Sequence, residues 1–218
     1  MKVKEVIILA GGKGKRLRPL TDNIPKCLVP VNNKPLLEYQ VEYLKGWGIK
    51  KIILACGYLW EKIKEKYGNE FIYSVEKEPL GTGGAIKKAL EHIDGDEFFV
   101  INCDEYCDVN LEEVKKMGSN TVVLSRFNCR FGLVDTKGDK VIGFRQKPVL
   151  PYWANLGLYL LNKNISLPDK GAIETETFPA LASEGKLKAY KHKGIWFTVN
   201  TIKDLEKLEK FLKGEVKK

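Results

Sequence analysis

Short aliphatic and β-branched runs at positions 6–10, 51–56, 71–75 and 98–102 alternate with stretches at 36–47, 59–67, 83–93 and 111–117 whose apolar residues recur every three to four positions. The first pattern predicts strands and the second predicts amphipathic helices. The second half changes texture: β-rich stretches at 121–126, 132–135, 141–144 and 154–161 precede a helix at 175–183, a strand at 188–192 and a final helix at 202–212. Strands and helices in this order predict a three-layer, Rossmann-like α/β fold. Its sheet is mostly parallel but mixed, with helices on both faces and ligands beyond the carboxyl ends of the strands.

Neither a linker, an internal repeat nor a low-complexity tract interrupts the pattern, so residues 1–218 are expected to form a single domain. At 218 residues and 44% hydrophobic content the chain can bury one substantial core. No apolar run approaches the roughly 20 residues of a membrane span. The N-terminus enters the first strand at once, so a cytoplasmic protein without a signal peptide is expected.

Cysteines 27, 56, 103, 107 and 129 are scattered and form no CxxC pair; they read as reduced packing residues. With only two histidines in the sequence, a histidine-rich metal site is excluded, and any catalytic metal should have oxygen ligands, which points to Mg2+. The net charge of +9 suits anionic partners. Lysine and glutamate alternate at 61–66 and 203–210, as on solvated helix faces, so neither nucleic acid nor a membrane is an expected partner.

The first strand runs into Gly11-Gly12-Lys13-Gly14-Lys15-Arg16-Leu17-Arg18-Pro19-Leu20-Thr21, three glycines among four cations, a composition suited to polyphosphate. It is neither a GxGxxG fingerprint nor a Walker A loop. A lone lysine, Lys26, then stands between Pro25 and Pro30 in an otherwise apolar stretch.

These residues resemble the sugar-1-phosphate nucleotidyltransferase superfamily, whose opening motif reads Leu-Ala-Gly-Gly, a spacer ending in Gly-x-Arg-Leu-x-Pro-Leu-Thr, then Pro-Lys. Leu9 to Thr21 and Pro25-Lys26 match it position for position. The resemblance implies that Leu9, Ala10, Gly11 and Gly12 contact the nucleotide. It also places Arg16 on the departing pyrophosphate and Lys26 on the phosphates of the reacting pair.

A second signature runs from Glu76 through Gly81, Thr82, Gly83 and Gly84 and implies base and ribose recognition. A carboxylate only accepts hydrogen bonds, and guanine offers two adjacent donors, so Glu76 points to GTP. Asp104, at the end of the fourth strand-like run, is the expected catalytic metal ligand, although Cys103 stands where the family has glycine. Asp108 reads as the N-cap of the helix that begins at Leu111.

In the second half, Gly132, Lys147, Asn155 and Glu174 fall in the family's order for the sugar-phosphate half-site, with Lys147 on the phosphate. Residues 1–110 would thus hold the nucleotide and 111–218 the sugar phosphate. Two departures stand out. Gln146 replaces a glutamate before Lys147, and Trp196-Phe197-Thr198-Val199-Asn200-Thr201 lacks the family's second metal-binding aspartate at Thr198, leaving Asn200 as a neutral oxygen ligand.

The implied reaction joins a nucleoside triphosphate to a sugar 1-phosphate and releases pyrophosphate. The short heptose and mannose 1-phosphate guanylyltransferases are the most similar subfamilies. Two alternatives stay open: a non-catalytic regulatory subunit that binds nucleotide sugars, and a uridylyl- or cytidylyltransferase with another phosphorylated acceptor. Self-association is also left open.

Overall fold

A computed structural model describes residues 3–216. Its first half contains β1 (Glu5–Ala10), the short strands β2 (Pro30–Val31) and β3 (Lys34–Pro35), α1 (Leu36–Gly46), β4 (Lys51–Cys56), α2 (Trp60–Tyr67), β5 (Ile72–Val75), α3 (Gly81–Ala89), β6 (Glu97–Asn102), β7 (Glu105–Cys107) and α4 (Leu111–Met117). The second half contains β8 (Thr121–Asn128), the hairpin β9 (Gly132–Lys137) and β10 (Lys140–Gln146), the long β11 (Val149–Asn162), α5 (Thr177–Ser183), β12 (Lys188–His192), β13 (Trp196–Thr198) and α6 (Ile202–Leu212).

Seven strands form the central sheet in the order β12-β8-β11-β6-β1-β4-β5. β1, β4, β5 and β6 run parallel, and β11 is antiparallel to both β6 and β8, so the sheet is mixed as the pattern predicted. The order reverses at β1, which pairs with β4 on one side and β6 on the other. That reversal is the topological switch point where α/β sheets bind ligands.

Nearly every residue of β1, β4 and β6 is apolar because both faces of these strands are covered. On one face Val6, Ile8, Leu54, Phe99 and Ile101 pack under α1, α2 and α4. On the other, Ile7, Ile53, Phe98, Val100 and Tyr159 meet α3 and α5 through Ile86 and Phe178. A third cluster joins Leu17, Val29, Val31 and Leu36 to Val199, Leu205 and Leu208, so α6 locks the glycine-rich loop region against the C-terminal part of the chain. A capping box between Thr201 and Asp204 fixes where α6 starts.

The reading of Asp108 changes. Asp108 is not a helix cap: Asn110 caps α4 by accepting from Glu113 N, while Asp108 accepts from Ile195 N at 2.5 Å and lies 2.9 Å from His192 Nε2. The short strands β2, β3, β7 and β13 have two or three residues each and carry no detectable periodicity. Among the described residues no helix is long and apolar enough to cross a membrane.

Cys27, Cys56, Cys103 and Cys107 are buried, and Cys129 is half-buried. Burial pushes the thiols of Cys27, Cys56 and Cys107 up to about 12. A thiol-reactive chromophore at neutral pH should therefore label Cys129 fast and all five cysteines only after unfolding; several fast thiols in the native protein would contradict this packing. Leu160→Ala, at a fully buried site, should lower stability by about 2–5 kcal/mol in urea unfolding.

Candidate active site

A cleft of about 910 Å³ opens at the carboxyl ends of β1, β4, β5 and β6. Leu9, Gly11, Gly12, Glu76, Gly81 and Thr82 line it, so the two glycine-rich segments face each other. Ala10 does not join them: the residue is 2% exposed and packs into the core. Glu76 accepts from Leu80 N at 3.1 Å, and the backbones of Gly11 and Gly57 press on it so closely that a Cβ at either would lie 2.7–2.8 Å from its side chain. These glycines make room for the carboxylate.

Cations and oxygen donors converge at the cleft's inner end. Lys26, from the turn Lys26–Leu28, forms an ion pair with Asp104, which follows β6. The two side chains are 12% and 16% exposed, so water screens them little. Asn200 completes the group: its Oδ1 accepts from Lys26 Nζ at 3.1 Å and from Arg16 Nη2 at 2.7 Å. All four residues assigned to catalysis or metal binding thus meet in one network.

Two further residues brace this network, and nothing local in the sequence marks either. Gln40 is 2% exposed and donates from Nε2 to the carbonyls of Asn102 (2.5 Å) and Glu105 (2.9 Å), holding the backbone on both sides of Asp104. Glu105 is 5% exposed, accepts from Trp196 Nε1 at 2.6 Å and lies directly opposite Thr198 in the β7–β13 pair. Burial, then the charge of Asp104, holds its carboxyl well above the usual carboxylate range, while hydrogen bonds from Trp196 and Thr198 act the other way. Thr198 Oγ1 in turn accepts from Asn200 Nδ2 at 2.8 Å. An aspartate at the half-buried position 198 would set a second carboxylate against the buried Glu105 across the strand pair, which gives a physical reason for threonine there.

The acceptor side is joined to the nucleotide side by a chain of side chains. Thr82 Oγ1 donates to Glu174 Oε2 at 2.6 Å, Tyr159 donates to Glu174 Oε1 at 3.1 Å, and Asn155 Nδ2 donates to the Tyr159 hydroxyl at 2.7 Å. Close approach makes this possible. A Cβ on Gly81 or Gly84 would lie 2.5 Å from the carbonyl of Gly171 or Asp169, so the second glycine run seats α3 against the 168–171 loop that leads to Glu174. Gly132 and Lys147 are not brought into this chain. Gly132 pairs with Gln146 at the base of the β9–β10 hairpin, and Lys147 is exposed, with a φ of 49° and no ion pair among the described residues.

Among the described residues no cluster of three or more His, Cys, Asp or Glu could hold a metal. The side chains that do converge, the Asp104 carboxylate and the Asn200 carbonyl, are hard oxygen donors that both meet the Lys26 ammonium. A donor set of this kind fits a hard divalent cation that takes its remaining ligands from phosphate oxygens and water.

A cleft at the switch point, with opposed glycine-rich walls and a lysine–aspartate pair at its inner end, is the architecture of enzymes that act on nucleotides. The chain matches the Nucleotidyl transferase family over residues 5–215 and belongs to it. It is 43% identical to the D-glycero-alpha-D-manno-heptose 1-phosphate guanylyltransferase of Campylobacter jejuni over 171 residues, covering 74% of this chain and 77% of the relative. It is 39% identical to the mannose-1-phosphate guanyltransferase of Yarrowia lipolytica, covering 91% of this chain but only 61% of that protein's length. The fold superposes on HddC from Yersinia pseudotuberculosis complexed with GMP-PN with a TM-score of 0.75, at 30% identity over 96% of this chain and 100% of the other.

Opposition of Glu105 and Thr198 makes a testable double-mutant cycle. Thr198→Asp should cost about 1–3 kcal/mol in urea unfolding, and the cost should fall by at least half when Glu105→Gln is present. Equal costs in both backgrounds would mean that the two positions do not interact.

Proposed function

We propose that this chain, acting as one catalytic domain, transfers a guanylyl group from GTP to a heptose or mannose 1-phosphate, giving a nucleotide-activated sugar and pyrophosphate. The observation that carries the reading is the meeting of Lys26, Asp104, Asn200 and Arg16 at the inner end of a cleft whose opposite wall presents Glu76. The guanylyltransferases among its relatives support the base and the sugar class.

Both substrates are polyanions, so the reaction needs them aligned and their charge neutralised. Glu76, already fixed by Leu80 N, keeps acceptor capacity for the adjacent N1–H and N2–H donors of guanine. Gly11 and Gly12 leave room for the triphosphate, Arg16 takes the β- and γ-phosphates, and Lys26 bridges the α-phosphate and the incoming sugar phosphate. Lys147 neutralises that sugar phosphate, with Gly132, Asn155 and Glu174 around the sugar. Asp104 and Asn200 would hold Mg2+, which when bound supplies charge neutralisation between the phosphates.

An oxygen of the sugar 1-phosphate attacks the α-phosphorus in line; the bond to the bridging oxygen breaks, and pyrophosphate leaves with that electron pair. No covalent enzyme intermediate is needed. Cys103, which lines the cleft, has its thiol held well above its usual range by burial and so does not offer a thiolate nucleophile.

Pyrophosphate release, measured with each common triphosphate and a panel of sugar 1-phosphates, tests the reading. GTP with mannose or heptose 1-phosphate should be turned over fastest; clear preference for UTP or CTP would overturn the base assignment, and nucleotide binding without any release would favour a regulatory role. Asp104→Asn and Lys26→Ala should each slow turnover by roughly 100-fold or more. Glu76→Gln should cut the preference for GTP by about 10–100-fold, the worth of one bidentate base contact.

A further inference from the structure

Beyond the predicted acceptor contacts, the same face of the sheet carries a cluster that the proposed reaction does not use. Arg126 on β8, Trp153 on β11 and Lys191 on β12 stand on three adjacent strands, and their side chains meet: the Arg126 guanidinium carbon lies 4.4 Å and the Lys191 ammonium 5.4 Å from the centre of the Trp153 ring. Arg126 is further held by the carbonyls of Leu150 and Tyr152, at 3.2 and 3.5 Å from Nη1. Arg126 and Lys191 are exposed, and among the described residues neither meets a carboxylate. Lysines elsewhere, such as Lys45, Lys51 and Lys87, do.

Strand register locates the cluster. Trp153 pairs with Arg126, and Asn155 pairs with Leu124, which in turn pairs with Lys191. Trp153 is thus one pleat repeat, about 7 Å, from Asn155 on the same face, on the side of Asn155 away from Tyr159. Two like charges gathered around one ring without an acidic partner repel each other, and the ring face only partly offsets that. Exposed to solvent, the two charges are open to an anion carried by a ligand in the acceptor pocket expected around Asn155.

We propose that Arg126, Trp153 and Lys191 form a second anion subsite of that pocket, for an acceptor that carries a further phosphate or carboxylate besides its 1-phosphate. The subsite rests on the acceptor reading given above, because Asn155 is what ties it to the sugar. Arg126 presents a fork to the distal anion, Lys191 adds a point charge, and Trp153 holds the two in place.

Calorimetric titration of mannose 1-phosphate, mannose 1,6-bisphosphate and mannuronic acid 1-phosphate into the intact protein tests this without requiring turnover. The bisphosphate should bind at least about tenfold more tightly than the monophosphate, as one added charge-assisted contact would give. Arg126→Ala and Lys191→Ala should remove that preference while leaving mannose 1-phosphate within twofold. The uronic acid tells whether a carboxylate serves as well as a phosphate. Equal affinity for the bisphosphate and the monophosphate in the unaltered protein, or variants that weaken both equally, would overturn the subsite. Guanylyl transfer to mannose 1-phosphate with no such preference would sink the subsite alone. A cluster-dependent preference without transfer to any acceptor would leave the subsite standing and sink the proposed reaction.

Discussion

The ion pair between Lys26 and Asp104 is the contact on which the site's geometry depends. It ties the segment behind β1 to the residue that ends β6, across the point where strand order reverses. With both side chains largely shielded from water, separating the pair leaves two poorly solvated charges, a cost that a ligand bringing charge of its own would offset. A triphosphate is such a ligand. Asn200 and Arg16 add the C-terminal part of the chain to the same point, and the packing of α6 on Leu17, Val29 and Leu36 keeps it there.

A second constraint is steric. The glycines of the second signature are tight because α3 begins in contact with the 168–171 loop, not merely because a ligand passes nearby. That contact places Thr82 against Glu174 and, through Tyr159, against Asn155. The residues expected to bind base and ribose are therefore joined by hydrogen bonds to those expected to bind the sugar. The β9–β10 hairpin, which carries Gly132 and leads to Lys147, stands apart and exposes Val141, Ile142 and Phe144.

Much of this was legible in the sequence wherever the signal was local. Strands such as Lys51–Cys56 and helices such as Leu111–Met117 and Ile202–Leu212 follow their hydrophobic period residue for residue, because both faces of the strands and one face of each helix are buried. The loop motifs were readable for the same reason: their glycines, lysines and prolines lie within a few positions of each other. What escaped depends on long-range pairing. Asp108 looked like a cap because Asn110, the true cap, stands two residues on, and its actual partner Ile195 is 87 positions away. Glu105 shows its role only through the β7–β13 pair, which sets it opposite Thr198 and gives that threonine a physical reason.

The central claim is direct transfer at the α-phosphorus, with charge supplied around Lys26 and Asp104 and no group of the chain bonded to the nucleotide. Its most direct test is the configuration at phosphorus when GTP made chiral with sulfur at the α-position is the donor to mannose 1-phosphate. A single in-line displacement inverts that centre, and inversion is the predicted result. Retention would require two successive displacements through a covalent nucleotidyl-enzyme and would contradict the account.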